Sequence, residues 1–255
     1  MPIMISYSRQ ARSFMIAIFV YFFVLVSTAS AQDSGKFGWS VTPYIWASDT
    51  SLDISVRDTG IGGGADIKFS DLLDDLDTAF QIHVEGGKGN WSGFGDLTYI
   101  ETSDTTQQPL LIIDANNKTT VFDAAVAYWP NGVGTQLNVF GGLRYSGFDD
   151  RYRFTLGTDP LVERRSTKDY YDALLGIRYR FDLSGRWALL TRGDFSFGDS
   201  KGTWLVQGLF AYTVGKRQRN RIMFGYQYKE AEFRDGDLIT EFAYNGPMAG
   251  FNFRF

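Results

Sequence analysis

The chain has 255 residues, with 25 basic and 29 acidic side chains, one histidine and no cysteine. The lack of thiols excludes a disulfide framework and thiolate metal centres, and the absence of a basic patch removes the electrostatic footprint of a nucleic-acid binder. Aromatic residues reach 16%, with 22 Phe, 14 Tyr and 6 Trp against only 6 Pro, a balance suited to strands that end in aromatic girdles.

In chain order, residues 1–31 read as an export signal. Arg9 and Arg12 come without an acid, an apolar run follows from Phe14 to Val26, and Ser27 to Ala31 supply small residues with an Ala-x-Ala site. The run is too short and wrongly flanked for a transmembrane helix, so cleavage is expected and the mature chain begins near Gln32. Residues 32–255 then form one domain. That part carries 23 basic and 29 acidic side chains, a net charge of −6 with His neutral.

Beyond the signal the dominant hydrophobic period is two. Along residues 171–182, Tyr171, Ala173, Leu175, Ile177, Tyr179 and Phe181 share one face, while Asp172, Gly176, Arg178, Arg180 and Asp182 take the other. The pattern recurs. Leu137, Val139, Leu143 and Tyr145 oppose Asn138 and Arg144; Trp187, Leu189 and Phe195 oppose Arg192 and Asp194; Ile222, Phe224, Tyr226 and Tyr228 oppose Gln227 and Lys229. Apolar residues outside and charges inside describe a sheet that spans lipid, where backbone groups find no water and the sheet must close on itself. The expected strands cover 37–48, 77–89, 91–103, 118–130, 135–147, 170–182, 186–197, 203–214, 219–230 and 241–255. Short turns near 89–90, 130–134, 183–185 and 215–220 alternate with longer polar connections at 49–76, 104–117, 148–169 and 231–240, and a shorter one at 198–202. The fold class is therefore all-β: an antiparallel up-and-down transmembrane barrel of about ten strands, with eight and twelve as alternatives. Residues 51–57 and 64–69 are read as an external hairpin, too short to span. Pro43 lacks a donor, so a bulge or irregular pairing is expected in the first strand.

In the first external connection, Ser70 to Asp77 resembles one or two helical turns, with Ser70 as cap and Asp71 in the first turn. The simple reading is a plug or lid on the barrel mouth. The sharper one is a carboxylate site for divalent cations, although no Asp-x-Asp-x-Asp-Gly loop is present.

Several landmarks together resemble a widespread family of Gram-negative outer-membrane β-barrel proteins of uncharacterised activity. Trp39, Pro43, Tyr44 and Trp46 form W-x-x-x-P-Y-x-W, and Phe69, Asp71, Leu73 and Leu76 form F-x-D-x-L-x-x-L. Trp91, Asp96 and Tyr99 match its hairpin, Gly142 to Tyr145 and Gly176 to Tyr179 its repeated G-x-R-Y, and Gly246 to Phe255 its closing strand. Two positions depart from it: Ala173 stands where Pro is usual and Gln227 where Arg is common. The resemblance implies an outer-membrane barrel and no particular chemistry. The alternating Phe251, Phe253 and Phe255 resemble the C-terminal signal read by the barrel-assembly machinery, which is the expected partner beside outer-membrane lipids and lipopolysaccharide.

Two constellations compete for function. His83 shares the inward face with Gln81 and Glu85, and with Ser92 or Asp96 on the next strand it draws a hydrolase site acting on lipid. The inward charges Asp96, Asp123, Arg144, Asp172, Arg178, Arg180, Asp182, Arg192 and Asp194, with Arg254, form either a structural network or the lining of a narrow, porin-like conduit. A non-enzymatic outer-membrane protein without cofactor or metal, structural or a small-solute channel, is the leading expectation. The hydrolase and a surface adhesin acting through the external loops are the alternatives.

Overall fold

The computed structural model describes residues 37–107, 111–156, 159–215 and 220–255; the expected export signal lies outside them. Twelve strands alternate with short connections: β1 (Gly38–Trp46), β2 (Asp49–Val56), β3 (Ile61–Ile67), β4 (Leu76–Lys88), β5 (Trp91–Gln107), β6 (Leu111–Tyr128), β7 (Leu137–Leu156), β8 (Asp159–Asp182), β9 (Trp187–Gly198), β10 (Gly202–Val214), β11 (Asn220–Asp235) and β12 (Leu238–Arg254). Among the described residues one short helix, α1 (Phe69–Asp74), lies between β3 and β4.

The barrel is closed, antiparallel and ten-stranded. Closure comes from β12, whose lower part pairs with β1 (Trp46↔Met248 to Ser40↔Arg254) and whose upper part pairs with β2 (Asn245↔Asp49 to Leu238↔Val56). β1 and β2 are thus one wall strand interrupted at Ala47 and Ser48, where the Ala47 amide still donates to Pro247 at 2.9 Å. β4 continues the wall beside β1, and β3 pairs only with β2. The expected external hairpin is this β2–β3 pair, turning through Asp58 and Gly60, both at positive φ. Between β4 and β12 the sheet closes through β1, as lipid demands, while above it β3 and the first part of β4, residues 76–81, have one partner each.

The alternation has the direction expected from the sequence. Outward Leu143 and Ile45 are each 67% exposed, whereas inward Arg144 is 2% exposed. A water-soluble protein would reverse that order. At Pro43 the ladder to β12 lacks the Thr42 and Pro43 pairs but resumes in the same register at Tyr44↔Gly250, so the irregularity is a gap and no residue is inserted.

Three expectations are corrected. The polar stretches 104–117, 148–169 and 231–240 are largely strand, since β5 and β6, β7 and β8, and β11 and β12 run on as tall hairpins. Beyond lipid a hairpin needs only its own ladder and cross-strand pairs, such as Thr105 donating to Asp114 at 2.9 Å, and loses the apolar face that the sequence reading required. Ser70 is not the helix cap: Lys68 occupies that position without a side-chain cap bond, and Ser70 donates to Asp71 at 3.1 Å. The Phe69 amide is instead taken up by Asp49 Oδ1 at 2.8 Å, tying the helix to the start of β2. Nor is α1 a plug, for none of its residues is buried and Leu73 is 51% exposed.

Candidate functional site

The lumen is crossed by two charged layers in the half nearer the short turns and both strand termini. The first is built by register. β6 and β7 set Asp123 directly opposite Arg144, and Arg144 donates from Nε to Asp123 Oδ1 at 2.7 Å and from Nη2 to Oδ2 at 2.8 Å. The same Nη2 reaches Asp194 Oδ1 on β9 at 3.0 Å. Arg192 closes the ring, donating to Asp194 at 2.6 Å and to Asp123 at 3.0 Å. Two guanidinium groups and two carboxylates thus alternate around one cluster, with side chains at most 9% exposed. Each charge has a partner of opposite sign with charge-assisted hydrogen bonds, the arrangement that makes buried ions tolerable. Buried Lys229 on β11 adds a third cation within electrostatic reach of the cluster.

The second layer lies one step toward the turns. Arg178 on β8 reaches across the lumen to Glu85 on β4, with Nη2 to Oε1 at 2.8 Å and Nη1 to Oε2 at 3.1 Å, while its Nε donates to Asn138 at 2.9 Å. Its guanidinium carbon stands 4.8 Å from the Phe94 ring centre, 5.5 Å from Trp129 and 5.6 Å from Phe140, an aromatic cage of the kind cations favour. Phe94, Trp129 and Phe140 pack with Ala125, Ala127 and Leu174 into an apolar cluster inside the barrel.

His83 stands beside both layers. Its Nδ1 is 3.0 Å from Asp96 Oδ2 and its Nε2 is 3.6 Å from Glu85 Oε2. Tyr44 donates to the other Asp96 oxygen at 2.7 Å. Imidazole and acids are therefore brought together, but Ser92 is turned away from the ring. Its hydroxyl donates to Glu85 at 2.7 Å and accepts from the Trp129 indole at 2.8 Å.

Not every expected charge joins the cluster. Asp172, although opposite Arg144 in the ladder, bonds to the Ser200 amide at 2.9 Å and to the Ser196 and Ser200 hydroxyls. Arg180 and Asp182 pair with each other at the turn end. Phe253 and Phe255 face outward, 41% and 73% exposed, and the Phe255 amide donates to Trp39 at 2.9 Å. Among the described residues no group of three or more metal-ligating side chains converges, in the acidic helix or elsewhere.

The sequence reading missed Glu85 as the partner of Arg178, because it assigned Glu85 to His83. It also missed Phe94 and Phe140 as lumenal. The available signal was parity: Phe94 lies between Ser92 and Asp96 on the inward face, and Phe140 shares its face with Asn138 and Arg144. A cavity of about 180 Å³ runs from the turn end past Arg178 to Arg192 of the first layer, and its walls include Ser40, Thr42, Leu209, Met223 and Met248.

No family model matches the chain, and no curated protein is similar to it. Among solved structures, the chain is similar to the outer membrane protease OmpT from Escherichia coli, with a TM-score of 0.52 at 10% identity over 89% of this chain and 100% of that one. The attachment invasion locus protein Ail of Yersinia pestis matches at a TM-score of 0.38 and 8% identity over 87% of this chain and 100% of that one. The β domain of the Bordetella autotransporter BrkA matches at 0.36 and 15% identity, over 88% and 100%. At these identities the likeness to OmpT concerns the fold, that of an outer-membrane β-barrel.

Proposed function

We propose that this chain is a non-enzymatic protein of the Gram-negative outer membrane whose barrel is a sealed scaffold, and that its tall hairpins are what it presents to the outside. The observation that carries the reading is the Arg144–Asp123–Asp194–Arg192 cluster, which joins β6, β7 and β9 through the lumen and is backed by the Arg178 cage. A barrel of about this size is largely filled by its own side chains, and a solute pathway past the first layer would have to break several charge-assisted bonds at once.

The export signal at residues 1–31, insertion by the assembly machinery through Phe251, Phe253 and Phe255, and contact with lipopolysaccharide at the outer rim belong to the same reading. So does membership of the barrel family that the sequence resembles. The hydrolase alternative draws on His83 and Asp96 lying within 3.0 Å. Its serine is not engaged for attack, because Ser92 is held by Glu85 and Trp129 and makes no bond to His83.

Planar-bilayer recording of the refolded full chain tests the scaffold against the channel. The expected result is a silent membrane after verified insertion, and discrete, reproducible openings would overturn the sealed barrel.

A further inference from the structure

Three arginines gather at the turn end of the lumen. Arg180 lies near the end of β8, Arg221 at the start of β11 and Arg254 at the end of β12, and all three line the lumenal cavity. That lining contains five arginines, Arg178, Arg180, Arg192, Arg221 and Arg254, but only two carboxylates, Glu85 and Asp96. Both carboxylates are engaged, Glu85 by Arg178 and Asp96 by His83 and Tyr44. Arg192 is held by Asp123 and Asp194. Of the three arginines at the mouth, only Arg180 has an ion-pair partner, Asp182, among the described residues.

Their hydrogen bonding agrees. Arg180 donates from Nη1 to the Gly134 carbonyl at 2.8 Å and from Nη2 to Asp182 at 3.1 Å. Its Nε lies 2.8 Å from the same half-exposed carboxylate but off the donor axis, so this buried N–H has no acceptor. Among the described residues the Arg221 side chain makes no hydrogen bond or ion pair; its charged neighbours are Arg254 and Arg180, opposed by Asp182. Arg254 uses its backbone amide toward Asn220 at 3.1 Å; its guanidinium makes no ion pair among the described residues, and its charged neighbours are Arg180 and, of opposite sign, Glu85. Converging guanidinium groups with free planar donors repel one another until an anion accepts from them.

We infer that this mouth is a binding site for a small oxyanion, a phosphate or carboxylate group, entering from the turn side and held by Arg180, Arg221 and Arg254. Leu209, Met223 and Met248 on the cavity wall accommodate a short apolar substituent on that anion. The same chemistry is offered by a free phosphate compound or by the phosphate of a lipid headgroup at the rim. The arginines point into a cavity inside the wall and not onto the lipid face, which favours a free anion.

The test uses the refolded full chain in phosphatidylcholine nanodiscs, titrated with inorganic phosphate by calorimetry at low ionic strength. Saturable binding is expected. It should weaken at least about tenfold in Arg221→Gln/Arg254→Gln and stay unchanged in Lys168→Gln, which lies in the β7–β8 hairpin. Absence of saturable binding to folded wild type, or equal binding by the double variant, overturns the inference. If the double variant does not fold, Arg221→Lys replaces it, and binding equal to wild type overturns the role of the planar donors. Repeating the titration in phosphatidylglycerol nanodiscs separates the sources: unchanged phosphate binding supports a free anion, and lost binding supports occupation of the same site by a headgroup.

Discussion

The ion pairs of the lumen and those of the tall hairpins have the same geometry in opposite surroundings. Arg144 grips Asp123 through two nitrogens at 2.7 and 2.8 Å with both side chains nearly sealed from solvent. Arg165 grips Asp149 in the hairpin equally well, at 2.9 and 2.6 Å, but the arginine is 51% exposed. Bond lengths alone therefore do not rank these pairs. What separates them is the alternative open to each partner when the other is removed: water in the hairpin, and an uncompensated charge in the lumen.

Single substitutions turn that comparison into numbers. Arg144→Ala is expected to have the largest effect, because it leaves Asp123 and Asp194 buried with only Arg192 and Lys229 nearby. A loss of about 3–5 kcal/mol is expected, read as a lower denaturant midpoint or loss of the heat-modifiable folded band on gels. A stability equal to wild type would mean that the cluster is hydrated and the two regions do not differ.

Glu85→Gln is next. It removes the charge that crosses the lumen to Arg178 but keeps a hydrogen-bonding amide, and both side chains are 16–17% exposed. A loss of about 1.5–3 kcal/mol is expected, with the Arg178 cage of Phe94, Trp129 and Phe140 left intact. In a background where the other five tryptophans are replaced by Phe, fluorescence reports on Trp129, and a large shift at unchanged stability would show that the cage depends on Glu85.

The smallest effect belongs to Lys168→Gln, which breaks the pair with Asp235 between the β7–β8 and β11–β12 hairpins, where the side chains are 46% and 64% exposed. A change of no more than about 1 kcal/mol is expected, vanishing in high salt. A loss comparable to that of Arg144→Ala would show that the hairpins are held together by their charges rather than by the ring contacts among Phe148, Tyr170, Phe233 and Phe242.

Those contacts mark a limit of the sequence reading. Residues 148–169 look polar and loop-like because, above the lipid, neither face must be apolar and the period of two loses its contrast. The strands continue nevertheless, since Asp149↔Thr167 and Arg151↔Arg165 complete each other's ladder. The interrupted first strand shows the same limit. Nothing local in Ala47 and Ser48 says that β1 and β2 share one partner; only β12 lying alongside both makes them one wall strand.

Alternation by itself determined the barrel class, the inward direction of Arg144, Arg178, Arg192 and their carboxylates, and the outward direction of Phe253 and Phe255. These follow from a strict period of two and from the demand of lipid for a closed ladder. Tertiary structure alone decided which charge meets which. Asp172 is the ladder neighbour of Arg144, yet it serves Ser196 and Ser200, while Glu85 bonds to Arg178 from the opposite wall. Long side chains in a narrow lumen choose partners across the barrel as readily as along it, and that choice depends on curvature, which no stretch of sequence records.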